Sequence, residues 1–233
     1  MMKKEKPIII SVGGSLIVPD NIDISFLKIF KNILLEQISK GRRFVLITGG
    51  GQTARRYQKA GQAVTDLSVE DLDWLGIHGT RLNGHLLRSI FYQEAHPVMV
   101  KNPTALPVFE ESLLVAAGWR PGRSTDYCAV SLAKTLGSDR IINLSNIDYV
   151  YEEDPQKNIE AEFYDKISWV NFLQLIPKDW NPGLSTPFDP EASRLAQAEN
   201  MEVIIINGQH LERLDNYLNN LEFKGTVISN KFL

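Results

Sequence analysis

Cysteine is almost absent from this chain of 233 residues, since Cys128 is the only one. The chain can therefore form neither an intramolecular disulfide nor a zinc site built from several cysteines. Strong positive charge is also missing: the net charge is −3, and basic residues form a dense run only at the N-terminus. A nucleic-acid-binding protein would carry a strongly basic face, so we expect no nucleic-acid partner.

Long apolar segments are missing as well. No stretch of the sequence reaches the ~18 consecutive apolar residues that indicate a membrane-spanning helix. The first residues also lack the apolar core of a secretory signal peptide. We therefore expect no membrane partner and a cytoplasmic enzyme. The hydrophobic content of 43% is ordinary for a globular protein, and a chain of this length can bury a substantial core.

What the sequence does contain is an alternation of strand and helix patterns. Short, apolar, β-branched runs predict strands at residues 7–12, 44–48, 98–100, 113–117, 140–144, 203–207 and 226–229. Helical spacing of apolar residues predicts helices at 23–40, 52–63, 69–95, 124–137, 168–175, 189–200 and 210–220, with a Pro/Gly-rich loop at 177–187. This alternation predicts an α/β fold, a three-layer α/β/α sandwich with a mostly parallel central sheet. Without repeats or a long linker, residues 1–233 are expected to form one domain.

Two glycine-rich turns follow predicted strands directly. Gly13-Gly14-Ser15 comes after the first strand, and Gly49-Gly50-Gly51 comes after the second. Backbone N–H groups in such turns can approach a phosphate closely, and the dipole of a following helix adds to the attraction. The alternative is a pair of tight turns with no ligand. Neither turn has the Walker A or the dinucleotide-binding glycine pattern.

Two further segments combine polar residues with the start or the end of an element. Residues 145–155 read Ser-Asn-Ile-Asp-Tyr-Val-Tyr-Glu-Glu-Asp-Pro and follow a strand, where open α/β sheets bind ligands. Residues 118–126 read Gly-Trp-Arg-Pro-Gly-Arg-Ser-Thr-Asp and precede a helix, where hydroxyl and amide groups suit a phosphate. The alternative for Ser124-Thr125 is a simple helix cap, with Asp126 as a favourable first-turn charge.

These segments resemble the amino acid kinase family, and within it most closely the UMP kinases of the archaeal type. Segment 145–155 is similar to the family pattern Thr-Asn-Val-Asp-Gly-Val-Tyr-x-x-Asp-Pro, and segment 118–126 to Gly-Gly-Thr-x-Pro-Gly-x-Thr-Thr-Asp. Segment 73–83 resembles Asp-x-x-Gly-Ile-x-x-Thr-Arg-x-Asn. Residues 189–192 and the Gly225-Thr226 pair also match, so the resemblance covers nearly the whole chain.

The resemblance implies transfer of the γ-phosphoryl group of ATP to UMP, with Mg²⁺ accompanying ATP and no side chain assigned to the metal. It also implies a homo-oligomer, commonly a hexamer, with acceptor binding in the N-terminal part and ATP binding in the C-terminal part. The residues that it places at ATP are Gly13, Gly14, Ser15, Gly51, Arg55, Ser145, Asn146, Tyr151 and Asp154. Those that it places at UMP are Gly50, Asp73, Trp119, Arg120, Pro121, Gly122, Arg123, Ser124 and Thr125.

Several positions depart from the family pattern. Ser11 and Gln52 stand where lysines are common among the relatives, and Tyr149 replaces a usual glycine. Trp119 and Arg123 replace a hydroxyl residue and, commonly, a histidine. With those lysines absent, Arg55 and Arg123 are our candidates for the catalytic cations, since arginine suits bidentate contact with phosphate.

Alternative interpretations remain open for individual residues and for the whole chain. Asp73 and Arg81 could be a solvated surface pair, Tyr151 a core aromatic residue, and Arg123 an exposed loop arginine. The chain could be a related kinase whose acceptor is a carboxylate, a carbamate or an alkyl phosphate; the Asp73 and Thr80-Arg81-x-Asn83 matches favour UMP. It could also be a nucleotide-binding or anion-storage relative that has lost turnover.

Overall fold

The structure is a computed structural model that describes residues 6–155, 157–158, 160–179 and 186–232. The predicted loop at 177–187 therefore lies partly outside the described residues. The strands in the described part are β1 (Ile8–Val12), β2 (Phe44–Thr48), β3 (Leu113–Ala116), β4 (Arg140–Ser145), β5 (Val150–Tyr151), β6 (Phe163–Tyr164), β7 (Lys166–Ile167), β8 (Glu202–Asn207) and β9 (Thr226–Ile228). The helices there are α1 (Gly14–Ile17), α2 (Ile24–Ser39), α3 (Gly51–Val64), α4 (Val69–Ile90), α5 (Thr125–Leu136), α6 (Trp169–Leu175), α7 (Pro190–Ala198) and α8 (Leu211–Leu218).

A mostly parallel sheet forms the centre of the fold. Its strand order is β3-β2-β1-β4-β8-β9-β7, and the run from β3 to β8 is parallel throughout. Strand β9 runs antiparallel to β8 and pairs in parallel with β7. Strands β5 and β6 form a separate antiparallel pair beyond the carboxyl end of β4. The predicted mostly parallel sheet is therefore confirmed.

Helices cover both faces of this sheet, which explains why its inner strands are apolar along their whole length. All five residues of β2 are buried. On one face, α2, α4 and α8 contribute apolar residues such as Phe30, Leu87 and Leu214. On the other face, α5, α6 and α7 contribute residues such as Leu132 and Trp169. The three-layer α/β/α arrangement is confirmed. Within the described residues, no helix combines the length and the apolar character that crossing a membrane requires.

Some of the predicted elements need correction. The predicted strand at 98–100 is wrong, because this segment joins β3 only through one isolated bridge, Val100 to Ala116. The predicted helix at 69–95 ends at Ile90, followed by a turn. The glycines within it do not interrupt the helix, and Gly79 lets α4 approach Ala54 of α3 closely. Helix α1 and strands β5 to β7 were not predicted, because two to four residues carry too little periodicity.

The two glycine turns pack directly against each other at the carboxyl ends of β1 and β2. A Cβ atom on Gly14 would lie 2.1 Å from the backbone nitrogen of Gly51 and 2.5 Å from the carbonyl carbon of Gly49. Gly51 also has a φ of +57°, in the left-handed region that side chains disfavour. Glycine is therefore required at these positions by the contact between the turns, independently of any ligand.

We expect Gly14→Ala to lower the free energy of unfolding by about 3 kcal/mol or more, because the main chain of both turns must move apart. The matched control is Gly76→Ala in α4, where the new Cβ would meet only the flexible end of Gln58 at 3.1 Å. Alanine also favours a helix over glycine, so this variant should stay within about 1 kcal/mol of the wild type. Urea unfolding of both variants checks the expectation, and equal effects would contradict it.

Candidate functional site

A cleft of about 440 Å³ opens at the carboxyl ends of β1, β2 and β4. From β1 the sheet extends to β2 on one side and to β4 on the other, so the strand order reverses there. Open α/β sheets bind ligands at such a reversal, because the loops that follow the two strands diverge and leave a crevice. The volume is that of a small-molecule site.

The structure brings many of the predicted site residues together in this cleft. Its wall includes, among the predicted set, Gly13, Gly14, Ser15, Gly50, Gly51, Arg55, Asp73, Arg123, Ser124, Thr125, Ser145 and Asn146. The other predicted residues do not line it, namely Trp119, Arg120, Pro121, Gly122, Tyr151 and Asp154. The convergence joins segments that are more than 100 residues apart in the sequence. The ligand contacts of both groups stay predictions.

Helix α4 holds the loop at 118–122 through backbone groups of the loop. The Asp73 carboxylate accepts a hydrogen bond from the Gly122 N–H at 2.7 Å. The Arg81 guanidinium donates to the Trp119 carbonyl at 2.9 Å, and the Thr80 hydroxyl accepts from the Gly118 N–H at 2.8 Å. Burial raises the pKa of Asp73, partly offset by the bond from Gly122. Asp73 and Arg81 therefore bind the loop instead of forming a solvated surface pair.

The same helix also holds the triple-glycine turn. The Asn83 amide donates to the carbonyl oxygens of Gly49 at 2.8 Å and of Gly50 at 3.1 Å. The Thr48 hydroxyl at the end of β2 donates to the Thr80 carbonyl at 2.8 Å. The Thr80-Arg81-x-Asn83 pattern thus contacts two of the loops that form the cleft, and its observed role is to fix their positions.

Arg55 lies at the rim of the cleft, between the two glycine turns. Its Nε donates to the Gln52 side-chain oxygen at 2.8 Å, and its Nη2 donates to the Ser15 hydroxyl at 3.3 Å. Gln52, which stands where a lysine is common among the relatives, therefore holds the arginine with its amide. A cation is kept beside the turn that is predicted to face the ATP phosphates.

Arg123 is only 29% exposed and is held by two groups. One nitrogen of its guanidinium forms an ion pair with the carboxylate of Glu191, the second residue of α7. The guanidinium carbon lies 4.3 Å from the centre of the Tyr127 ring, in a cation–π contact. Arg123 also lines the cleft. The interpretation of Arg123 as a solvated loop arginine is therefore wrong.

Two carboxylates that the sequence analysis did not assign to the site also line the cleft, Asp126 and Asp189. Asp126 accepts from the Ser11 hydroxyl at 3.2 Å and from the Asp189 N–H at 3.3 Å. Asp189 caps α7 by accepting from the Ala192 N–H at 2.7 Å. Burial, together with repulsion from Asp189, raises the pKa of Asp126 to about 7, and burial also raises the pKa of Asp189. The available signal was that both aspartates stand at helix starts next to loops of the site.

Tyr149, the bulky residue at a position where the relatives usually have glycine, packs outside the cleft in a cluster of aromatic side chains. Its ring stacks on Phe163 of β6 with the centroids 4.4 Å apart, and Tyr151 meets Phe163 edge-on at 6.5 Å. The neighbouring Asp148 accepts from Asn207 at 2.9 Å and pairs with Arg213. Tyr149 does not line the cleft. Its side chain packs against the paired strands β5 and β6 instead.

The sequence also matches a known family. The model of the amino acid kinase family matches residues 6–207. The chain therefore belongs to the amino acid kinase family.

Individual relatives extend this match to nearly the full length. A uridylate kinase of Methanocorpusculum labreanum is 30% identical over 228 residues, which cover 96% of this chain and 95% of the relative. A uridylate kinase of Sulfolobus acidocaldarius is 30% identical over 210 residues, covering 87% and 90%. The crystal structure of uridylate kinase from Archaeoglobus fulgidus matches with a TM-score of 0.80 at 25% identity, covering 96% of this chain and 100% of that one. A UMP kinase from Bacillus anthracis, at 20% identity and a TM-score of 0.75, covers 98% and 97% and supports the fold alone.

The raised pKa of Asp126 makes the stability of the ligand-free protein depend on pH. Its pKa is about 7 in the folded protein and 3.8 in the unfolded chain, so the folded state binds the proton more tightly. The free energy of unfolding therefore decreases as the pH rises from about 4 to about 7, the interval between these two pKa values. Asp126→Asn removes this loss. We expect the Tm difference, variant minus wild type, to increase by about 3 °C or more between pH 5 and pH 8.

Thermal unfolding in EDTA without nucleotide measures this difference. The control is Asp66→Asn, at an exposed aspartate outside the cleft. A Tm difference for Asp126→Asn that stays constant between the two pH values would contradict the expectation.

Proposed function

We propose that this protein is a UMP kinase, which transfers the γ-phosphoryl group of ATP to UMP and gives UDP. The observation that carries the proposal is the convergence of both glycine turns, Asp73 and the helix start at Ser124-Thr125 on one cleft. The near full-length similarity to proteins named uridylate kinase supports the same activity. The structural similarity to the Archaeoglobus fulgidus enzyme agrees with it.

The chemistry needs no general base. The second phosphate pKa of a nucleoside monophosphate is about 6, so the attacking oxygen of UMP is already anionic at neutral pH. Catalysis then consists of aligning the two phosphates and neutralising the charge of the transition state. In this proposal, Arg55 and the glycine turns bind the ATP phosphates. Arg123 and the α5 N-terminus bind the phosphate of UMP.

The remaining predicted residues contact the nucleoside parts of the two substrates. Ser145, Asn146, Tyr151 and Asp154 border the adenosine half of ATP, as the family resemblance implies. Asp73 accepts a hydrogen bond from the UMP sugar, and the loop that contains Trp119, Arg120, Pro121 and Gly122 closes over UMP. Asp73 can do this while it holds the loop, because a carboxylate has two oxygens with several acceptor positions.

The side chains of the cleft fit a magnesium ion that arrives with ATP. Mg²⁺ is usually held by one or two carboxylates together with substrate phosphates. Asp126 and Asp189 are two such carboxylates, and each has a pKa raised by burial, so a positive charge beside them is favourable. Among the described residues no larger cluster of metal-ligating side chains competes with this pair. We propose that Asp126 and Asp189 hold Mg²⁺, which neutralises phosphate charge when bound.

We further propose that residues 1–233 act as one domain, with acceptor binding in the N-terminal part and ATP binding in the C-terminal part. The shared cleft supports this, because both parts contribute to its wall. The homohexamer and the cytoplasmic location stay predictions. Light scattering of the purified protein measures the first of these.

The direct test of the function is a phosphotransfer assay with ATP and Mg²⁺ across UMP, CMP, dCMP and acetylglutamate. We expect conversion of UMP to UDP, with kcat/KM for UMP at least about 10-fold above that for CMP. Preferential turnover of another acceptor would indicate a related kinase. Binding of ATP without turnover of any acceptor would indicate a relative that binds nucleotides without catalysis.

A single substitution tests the acceptor half of the site. We expect Asp73→Asn to raise the KM for UMP by about 10- to 100-fold, because a charged hydrogen-bond acceptor contributes about 1.5–3 kcal/mol. The KM for ATP should stay within about twofold, since the proposal places ATP in other contacts. Steady-state kinetics on both substrates measure the split. The control is Glu70→Gln, an exposed carboxylate on the same helix. An equal increase in both KM values would mean that Asp73 acts only by holding the loop.

A further inference from the structure

The contact between Arg123 and Glu191 joins two segments that both contribute residues to the cleft, the start of α5 and the start of α7. Arg123 precedes α5 and belongs to the loop assigned to the acceptor, whereas Glu191 lies in the first turn of α7. The two helix starts are also tied by the Asp189 N–H, which donates to Asp126, and by the Ser124 hydroxyl, which donates to the Asp189 carboxylate. The start of α7 is therefore in a fixed position relative to the loop, and Glu191 is fixed with it.

A fixed carboxylate beside Arg123 has two opposing consequences for a phosphate. A free arginine side chain samples many rotamers, and the carboxylate on the guanidinium of Arg123 together with the ring against its face restricts that freedom. The cation is then oriented before the substrate arrives. The negative charge of Glu191 also offsets part of the positive charge, which weakens the attraction for a phosphate. Glu191 thus favours orientation at the expense of affinity.

We propose that Glu191 is a positioning residue for phosphoryl transfer, which acts by holding the Arg123 guanidinium in the cleft where the acceptor's phosphate binds. This inference rests on the proposed function and adds to it a residue outside the wall of the cleft. Arg123 contacts the phosphate, and Glu191 acts through Arg123. The alternative is a purely structural ion pair, which connects the start of α5 to α7 and contributes only to stability.

The molecule contains a matched control for that alternative. Lys134 and Glu199 form an ion pair at 2.6 Å between the same two helices, near their C-terminal ends. Neither residue lines the cleft. Glu191→Gln and Glu199→Gln therefore each remove one carboxylate of an ion pair between α5 and α7. Only the first should change catalysis.

We expect Glu191→Gln to lower kcat with UMP by about 10-fold, since the guanidinium loses its orientation in the transition state. The KM for UMP should stay within about threefold of the wild type or decrease, because a negative charge near the phosphate is removed. Glu199→Gln should leave both constants within about twofold, and the Tm changes of the two variants should be similar. A higher KM with unchanged kcat, or equal kinetic effects of both substitutions, would overturn the proposal.

Chemical rescue separates positioning from stability. Arg123→Ala leaves a slot between the Glu191 carboxylate and the Tyr127 ring, and added guanidinium ion can occupy it. We expect Arg123→Ala to lose about 100-fold in kcat, as for one electrostatic donor. Guanidinium at millimolar concentration should restore about 10-fold of this, whereas the double variant Arg123→Ala/Glu191→Gln should show no restoration. Equal rescue of both variants would show that Glu191 does not hold the cation.

The wild-type assay distinguishes a failure of the positioning role of Glu191 from a failure of the proposed function. If UMP is phosphorylated and Glu191→Gln keeps full kcat, the positioning role is rejected and the proposed function stands. If the wild type turns over no acceptor of the panel, both are rejected. If UMP is phosphorylated, kcat falls in Glu191→Gln but not in Glu199→Gln, and rescue depends on Glu191, both are supported.

Discussion

The arrangement of the cleft depends on the backbone contact between the two glycine turns. The backbone of Gly14 lies so near Gly49 and Gly51 that no side chain fits between them. This contact brings together the carboxyl ends of β1 and β2, and α3 begins directly from it at Gly51. The position of Arg55 follows from it, because that side chain reaches from α3 back to Ser15 of the first turn. The shape of the cleft on this side is therefore set by main-chain packing.

The polar side chains of the cleft are held by neighbours that differ in charge. Each arginine is held in position by two partners. Arg55 contacts an amide and a hydroxyl group, and Arg123 contacts a carboxylate and an aromatic ring. The aspartates contact hydroxyl and backbone N–H groups instead, so their negative charge is not neutralised by those contacts. A site with oriented cations and a partly buried acidic pair is suited to an anionic substrate that arrives with a metal ion.

The sequence was informative where a pattern is local. Apolar strands such as Phe44–Thr48 and the helix that Ser124 caps were predicted to within a few residues. The reason is that apolar runs and capping residues influence only the few residues next to them in the chain. Residues 98–100 were predicted as a strand because they are apolar, yet they pair with β3 only through one isolated bridge, at Val100. Whether a short apolar segment extends a sheet depends on partners that are distant in the sequence.

The sequence by itself determined the α/β class, the two glycine turns and the order of the segments that form the cleft. Only the tertiary structure decided how the polar residues pair. Asp73 is bonded to Gly122 across 49 positions, and Arg123 is paired with Glu191 across 68. Asp126 and Asp189 became neighbours because two separate helices begin at the same edge of the sheet. The physical reason is that strand and helix preferences act between near neighbours in the chain, whereas ion pairs and pKa shifts depend on distance and burial in three dimensions.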